Sequence, residues 1–154
     1  MKGNNTRCDD DGAMTPPLHV ARVYPFRRLS VWEKSHELTL RVYGVTDGAL
    51  FRRLPALTSQ LRRSIASIPA NIAEGASHSS QAQFNRFLEI ALASAREADY
   101  HLLLAKDLEA IDIKTYAVFE ARLGEVQGML MGLRKRVLER ARSGRRPPPP
   151  KRSV

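Results

Sequence analysis

A chain of 154 residues, 43% hydrophobic but only 6% aromatic, can bury one ordinary core but hardly two, and its leucines and alanines suit helix–helix contact better than a β-sandwich. The lone Cys8 excludes an internal disulfide, no Cys or His pair has zinc-ligand spacing, and no apolar run is long enough to cross a bilayer. A soluble, cytoplasmic protein with no secretion signal, structural metal or cofactor is therefore expected. The net charge of +9 is placed unevenly: from Arg134 onward nine basic residues face Glu139 alone, 9 − 1 = +8, which leaves +1 for residues 1–133.

Residues 1–25 mix Asn, Asp, Gly and the Pro16-Pro17 pair without an apolar period, as in a mobile leader. Ser30 followed three residues later by Glu33 forms a capping-box pattern, with Leu29 placed as its hydrophobic staple. The first helix is predicted from about Ser30 to Val45. Its inner face holds Trp32, Ser35, His36, Thr39, Val42 and Tyr43, widened by Leu38, Leu40 and Val45. Asp47-Gly48 ends it, and Pro55 suits the first turn of the next.

In the second helix Leu57, Leu61, Ile65, Ile68 and Ile72 recur at steps of four, four, three and four, on a face that excludes Arg62 and Arg63. Pro69 lies inside this stripe. It removes a backbone donor and crowds the carbonyl four residues back, so a bend is expected near Ser64 and Ile65 unless neighbouring helices absorb it; Ser64 and Ser67 stand ready for a loosened carbonyl. Gly75 fits a left-handed cap, and the turn Ser77-His78-Ser79-Ser80 follows.

Ser80 to Gln83 opens a third helix that runs to about Leu108 without Gly or Pro. Its inner positions are Phe84, Phe87, Leu88, Ala91, Ala95, Ala98, Leu102, Ala105 and Leu108, and the alanines invite close approach. Asp112 caps a fourth, from about Ile113 to Ala141, in which Tyr116, Phe119, Leu123, Val126, Leu130, Leu133 and Val137 form a heptad seam for internal packing, an oligomer contact, or both. Ser143-Gly144 stops it before a basic tail with Pro147–Pro150 extended. The elements add up to an all-α protein: an up-down-up-down antiparallel four-helix bundle over residues 26–142, between a disordered leader (1–25) and a disordered tail (143–154).

Catalytic chemistry has little to stand on. A di-iron bundle needs two Glu-x-x-His motifs, and only Glu33-Lys-Ser-His36 has that spacing, so His36 reads as a core histidine. Ser64 and Ser67 have no histidine spaced to serve as base. Asn71 and Glu74, one turn apart, suit either a contact across a subunit interface or an ordinary helix-end arrangement, and Trp32 suits a core or interface anchor better than a base-stacking residue. The basic residues Arg52, Arg53, Arg62, Arg63, Arg134, Lys135, Arg136, Arg140 and Arg142 would supply phosphate contacts without reading sequence. A polyanion partner and a plain solubilising end are the competing readings of the basic terminus.

Three stretches carry a family resemblance: Phe26-Arg27-Arg28-Leu29-Ser30-Val31-Trp32-Glu33-Lys34, Leu57 to Gly75 with Ser67-Ile68-Pro69-Ala70-Asn71-Ile72-Ala73-Glu74-Gly75 at its centre, and Phe84 to Ser94 with Glu97. Over residues 26–140 the chain resembles the small bacterial four-helix-bundle proteins encoded in intervening sequences of 23S ribosomal RNA genes. That family includes the accessory variability determinant (Avd) of diversity-generating retroelements. The resemblance implies a homopentamer with a positively charged surface; in the retroelement branch that assembly binds nucleic acid and a reverse transcriptase. Trp32, Pro69, Asn71, Glu74 and Gly75 are read from their own positions as interface or structural residues. The chain departs from the pattern at Pro55-Ala56, where Tyr-Gly is usual, at Asp99 and Tyr100, and in its Arg- and Pro-rich tail. The reading reached is a non-enzymatic oligomeric adaptor for nucleic acid; the alternative is a structural protein–protein interaction module without nucleic-acid binding.

Overall fold

The computed structural model describes residues 25–144, and all regular structure among them is helical. The expected leader and tail lie outside the described residues, apart from Pro25, Ser143 and Gly144. A 3₁₀ turn, Pro25–Arg28, leads into α1 (Ser30–Thr46); a single helical turn, α2 (Ala49–Arg52), precedes α3 (Pro55–Ser77); α4 (Gln81–Asp107) and α5 (Ile113–Ser143) complete the set.

Contacts between the four long helices run in opposite residue order. Thr46 and Thr39 of α1 meet Arg62 and Ile65 of α3. Ser67 and Gly75 of α3 meet Ser94 and the Phe84–Phe87 pair of α4. Lys106 and Glu89 of α4 meet Tyr116 and Arg134 of α5, and Lys34 and Glu37 of α1 meet Glu125 and Arg122 of α5. Each contacting pair is therefore antiparallel, with α3 and α4 most extensively packed. Leu61, Ile65, Ile68 and Ile72 of α3 interleave with Leu88, Ala91, Ala95, Ala98 and Leu102 of α4 in a core that excludes water. The α5 seam also turns inward: Phe119, Leu123, Val126, Leu130 and Val137 are buried, with Tyr116 and Leu133 half-buried.

Several expectations need correction. The capping box at Ser30 does not form: the N-cap is Leu29, without a side-chain bond, because the preceding 3₁₀ turn starts the helix earlier. The buried face of α1 is Val31, Ser35, Leu38, Thr39, Val42 and Thr46, whereas Leu40 is 60% exposed and His36 stacks outside on Trp32, ring centroids 5.1 Å apart. His36 is thus no core histidine. Leu108, placed inside by its spacing, is half exposed because α4 has ended beneath it.

Gly75 is not a left-handed cap. Helix α3 continues to Ser77, and no glycine among the described residues has positive φ. Gly75 serves clearance instead: a Cβ there would stand 2.7 Å from Phe87 Cβ and 2.8 Å from Phe84 Cδ2.

Pro69 is buried within an α3 that runs as one helix from Pro55 to Ser77, so no break accompanies it. Its missing amide leaves the Ile65 carbonyl without the usual partner, and the Thr39 hydroxyl of α1 reaches that carbonyl at 3.2 Å while also lying 2.8 Å from its own Ser35 carbonyl. One hydroxyl proton is shared between the two acceptors. Ser64 bonds back to the Leu61 carbonyl at 3.1 Å and takes no part.

Two helix starts were foreseen with their caps, and the end of α4 was foreseen without its cap. Ser80 and Asp112 cap α4 and α5, the latter accepting the Thr115 amide at 2.7 Å, which holds the Asp112 carboxyl below the ordinary carboxylate range. The end of α4 is a Schellman motif: the Ala110 amide donates to the Ala105 carbonyl (2.8 Å) and the Glu109 amide to that of Lys106 (2.9 Å). The left-handed position, normally glycine, is Glu109 at φ 57°.

Candidate nucleic-acid interface

Cations of this bundle fall into those that helix packing neutralises and those that it leaves bare. Mid-way along the α1–α5 flank, Lys34 pairs with Glu125, and Arg41 and Arg122 share Glu37. The Arg41 hydrogen bond and charge hold the Glu37 carboxyl below its ordinary range, with smaller help from Arg122 and Lys34. The waist is consequently near neutral.

At the end where α1 meets α2 and α3, Arg62 is fixed on several sides. Its Nε donates to Thr46 Oγ1 at 2.7 Å, one Nη donates to Asp47 Oδ1 at 2.6 Å, and the guanidinium lies over the Tyr43 ring, 5.0 Å from its centroid. Arg52 donates to the Asp47 carbonyl at 2.9 Å. Arg63 makes no ion pair among the described residues. Arg52, Arg62 and Arg63 together line a cleft of about 600 Å³ with Tyr43, Asp47, Phe51 and Ser59. Arg53 turns away, beside a mostly apolar groove of about 490 Å³ bordered by Pro55, His101 and Leu104.

At the opposite end α5 outruns its neighbours. Arg134 is spent on α4, bonded to Glu89 and to Asn85 Oδ1 at 3.0 Å. Lys135, Arg136, Arg140 and Arg142 are exposed and have no acidic partner among the described residues. At about 100° per residue, Arg136 and Arg140 share one side of the helix while Lys135 and Arg142 take another. Lys135 and Arg142 border a shallow groove of about 340 Å³ with Met131, Leu138 and Glu139. Arg86, exposed and one residue from Asn85, adds a cation to this end that spacing alone did not single out. Arg62 and Gly75 are 75 − 62 = 13 residues apart on α3, and Gly75 is level with the α4 start that Arg134 grips, so the two basic ends lie about 20 Å apart along the axis.

The remaining named residues have local roles. Trp32 is half-buried between Phe26 (4.8 Å) and His36. Asn71 folds back on its own helix, donating to the Ser67 carbonyl at 2.7 Å and hydroxyl at 2.9 Å, and that hydroxyl also receives Ser94. Glu74 is exposed, its Oε1 3.4 Å from His78 Nε2. No group of three His, Cys, Asp or Glu side chains suited to a metal ion occurs among the described residues, and no helix of theirs is long and apolar enough to cross a membrane.

The outer face of α5 carries a second strip, opposite the seam. Ile113, Ala117, Ala121, Gly124, Gly128 and Met131 recur at steps of four, four, three, four and three, free of charge. Ile113 is 64% and Met131 53% exposed, and a side chain added at Gly124 or Gly128 would meet nothing within 4 Å.

The family model for the 23S rRNA-intervening sequence protein matches residues 27–132. Among solved structures, a protein of unknown function from the S23 ribosomal protein family of Bacteroides thetaiotaomicron VPI-5482 is similar at 31% identity and a TM-score of 0.64, over 68% of this chain and 95% of that one. No curated protein matches the chain.

Proposed function

The chain belongs to the 23S rRNA-intervening sequence protein family, and from that premise we propose a non-enzymatic, oligomeric adaptor of the cytoplasm that binds RNA or DNA through phosphates. The observation that carries this reading is the bare cation set: Lys135, Arg136, Arg140 and Arg142 project from the α5 end with no ion pair among the described residues and outnumber the neighbouring Glu139, while the waist is ion-paired. Contacts of this kind attract phosphates of any sequence and weaken as salt rises.

Self-association belongs to the same proposal. A homopentamer, as the family resemblance implies, would multiply each bare cluster into a stronger field. With the seam consumed internally, the uncharged outer strip of α5 is the face on which a second copy would pack, its glycines admitting a close helix. The partner is then an RNA-containing complex, and in the retroelement branch one holding a reverse transcriptase.

The test is the triple variant Lys135→Glu, Arg136→Glu, Arg140→Glu, compared with wild type for retention of labelled RNA and DNA across a salt series. Wild type is expected to bind with affinity falling steeply in salt, the slope shrinking by about 0.9 for each phosphate contact removed. Wild-type binding that is absent or indifferent to salt overturns the reading. The second reading, a protein-docking module, is favoured by the α5 outer strip and predicts no nucleic-acid retention by either protein.

A further inference from the structure

The cleft between α1, α2 and α3 is larger than the groove at the basic end of α5, and its volume of about 600 Å³ sits within the roughly 300–1,000 Å³ of small-ligand sites, too small for a duplex. Three guanidinium groups against the Asp47 carboxylate give it 3 − 1 = +2. The two helix termini beside it, the C-terminus of α1 and the N-terminus of α3, carry opposing partial charges, so the excess comes from the arginines.

Its donors are partly set in advance. Arg62 is locked by Thr46, Asp47 and the Tyr43 ring, yet one of its Nη groups has no bond among the described residues. Arg52 spends a single Nη on the Asp47 carbonyl. Arg63 and the Ser59 hydroxyl are unengaged among the described residues, whereas the Thr58 hydroxyl is already committed to the Phe51 and Leu54 carbonyls. A fixed guanidinium with one Nη open, beside the partly engaged Arg52, the unengaged Arg63 and a hydroxyl, is a receptor for one multivalent oxyanion.

We propose that this cleft is a phosphomonoester site that takes the terminal phosphate of a nucleic-acid strand. The charge argument selects the end over the interior. A phosphodiester within a strand carries one negative charge, while a terminal phosphate carries about 1.5 to 2 near pH 7, matching +2. The proposal deepens the nucleic-acid reading of the preceding subsection and rests on it for the identity of the strand.

The experiment uses the full chain and one RNA sequence made with a 5′-phosphate, a 3′-phosphate or hydroxyls at both ends, labelled internally and titrated by fluorescence anisotropy, with AMP and inorganic phosphate as small probes. A terminal phosphate at one of the two ends is expected to tighten binding about tenfold over the hydroxyl-ended strand. Arg63→Glu and Arg52→Glu, each checked for unchanged helicity, are expected to bring that ratio to about one. Equal affinity for all three strands overturns the proposal while leaving general nucleic-acid binding intact, as does a ratio that survives in both variants. Binding of AMP with no strand bound overturns the nucleic-acid reading and supports the phosphomonoester cleft. Failure of every probe overturns both.

Discussion

Pro69 deprives the Ile65 carbonyl of its amide, and a hydroxyl from another helix, 26 residues away in sequence, meets it. The proline and its stressed carbonyl were legible in the sequence, because both effects are local; the compensating Thr39 was not, because it depends on how α1 lies against α3. Gly75 shows the same limit. Its neighbours Phe84 and Phe87 are across a helix pair, so a clearance glycine has the sequence appearance of a helix stop. The Thr39 bond yields a double-mutant cycle. Thr39→Val leaves a buried carbonyl short of a donor and is expected to cost about 1–3 kcal/mol in urea unfolding. In a Pro69→Ala background the restored amide serves that carbonyl, so the same substitution should cost at least ~0.5 kcal/mol less. Equal costs in the two backgrounds would show that the hydroxyl is not compensating for the proline.

Among the elements, α5 was read most fully, since a seam of threes and fours is a property of one helix and its inward face follows from the period. Helix α1 was read least well: apolar and small residues encircle it, and His36, Leu40 and Tyr43 lie outside while Thr46, beyond the expected end, lies inside. Its packing, not its period, decides. The α4 end was placed within a residue, at about Leu108, but its capping geometry was illegible for a different reason. The Schellman geometry wants glycine at the left-handed position, and Glu109 occupies it at φ 57°. A side chain there costs about 1–2 kcal/mol relative to an unstrained conformation. Glu109→Gly should therefore raise stability by up to ~1 kcal/mol, after the greater flexibility of glycine in the unfolded chain is set against the relief. Thermal unfolding with unchanged helicity checks this, and a lowered midpoint would mean that the Glu109 side chain holds the turn.

For the whole molecule, sequence disclosed the charge total and its drift to one end but not which cations are spent. Arg134 and Arg62 are engaged by Glu89 and Asp47 from other elements, pairings that no spacing rule reveals. Assembly is the prediction at this scale. Gly128→Leu places a side chain where the chain itself offers no obstruction, and the helix propensity gained is about 1 kcal/mol. Light scattering is expected to show a smaller assembly for this variant, with the isolated fold no less stable; an unchanged mass would move the contact off this face. The paired α1–α5 flank and the basic α5 end also limit how copies approach one another. Setting two α5 ends together brings like charges face to face, whereas flank-to-flank approach avoids that repulsion. Electrostatics alone thus favours lateral association over contact between two α5 ends, most strongly where the solution holds few ions.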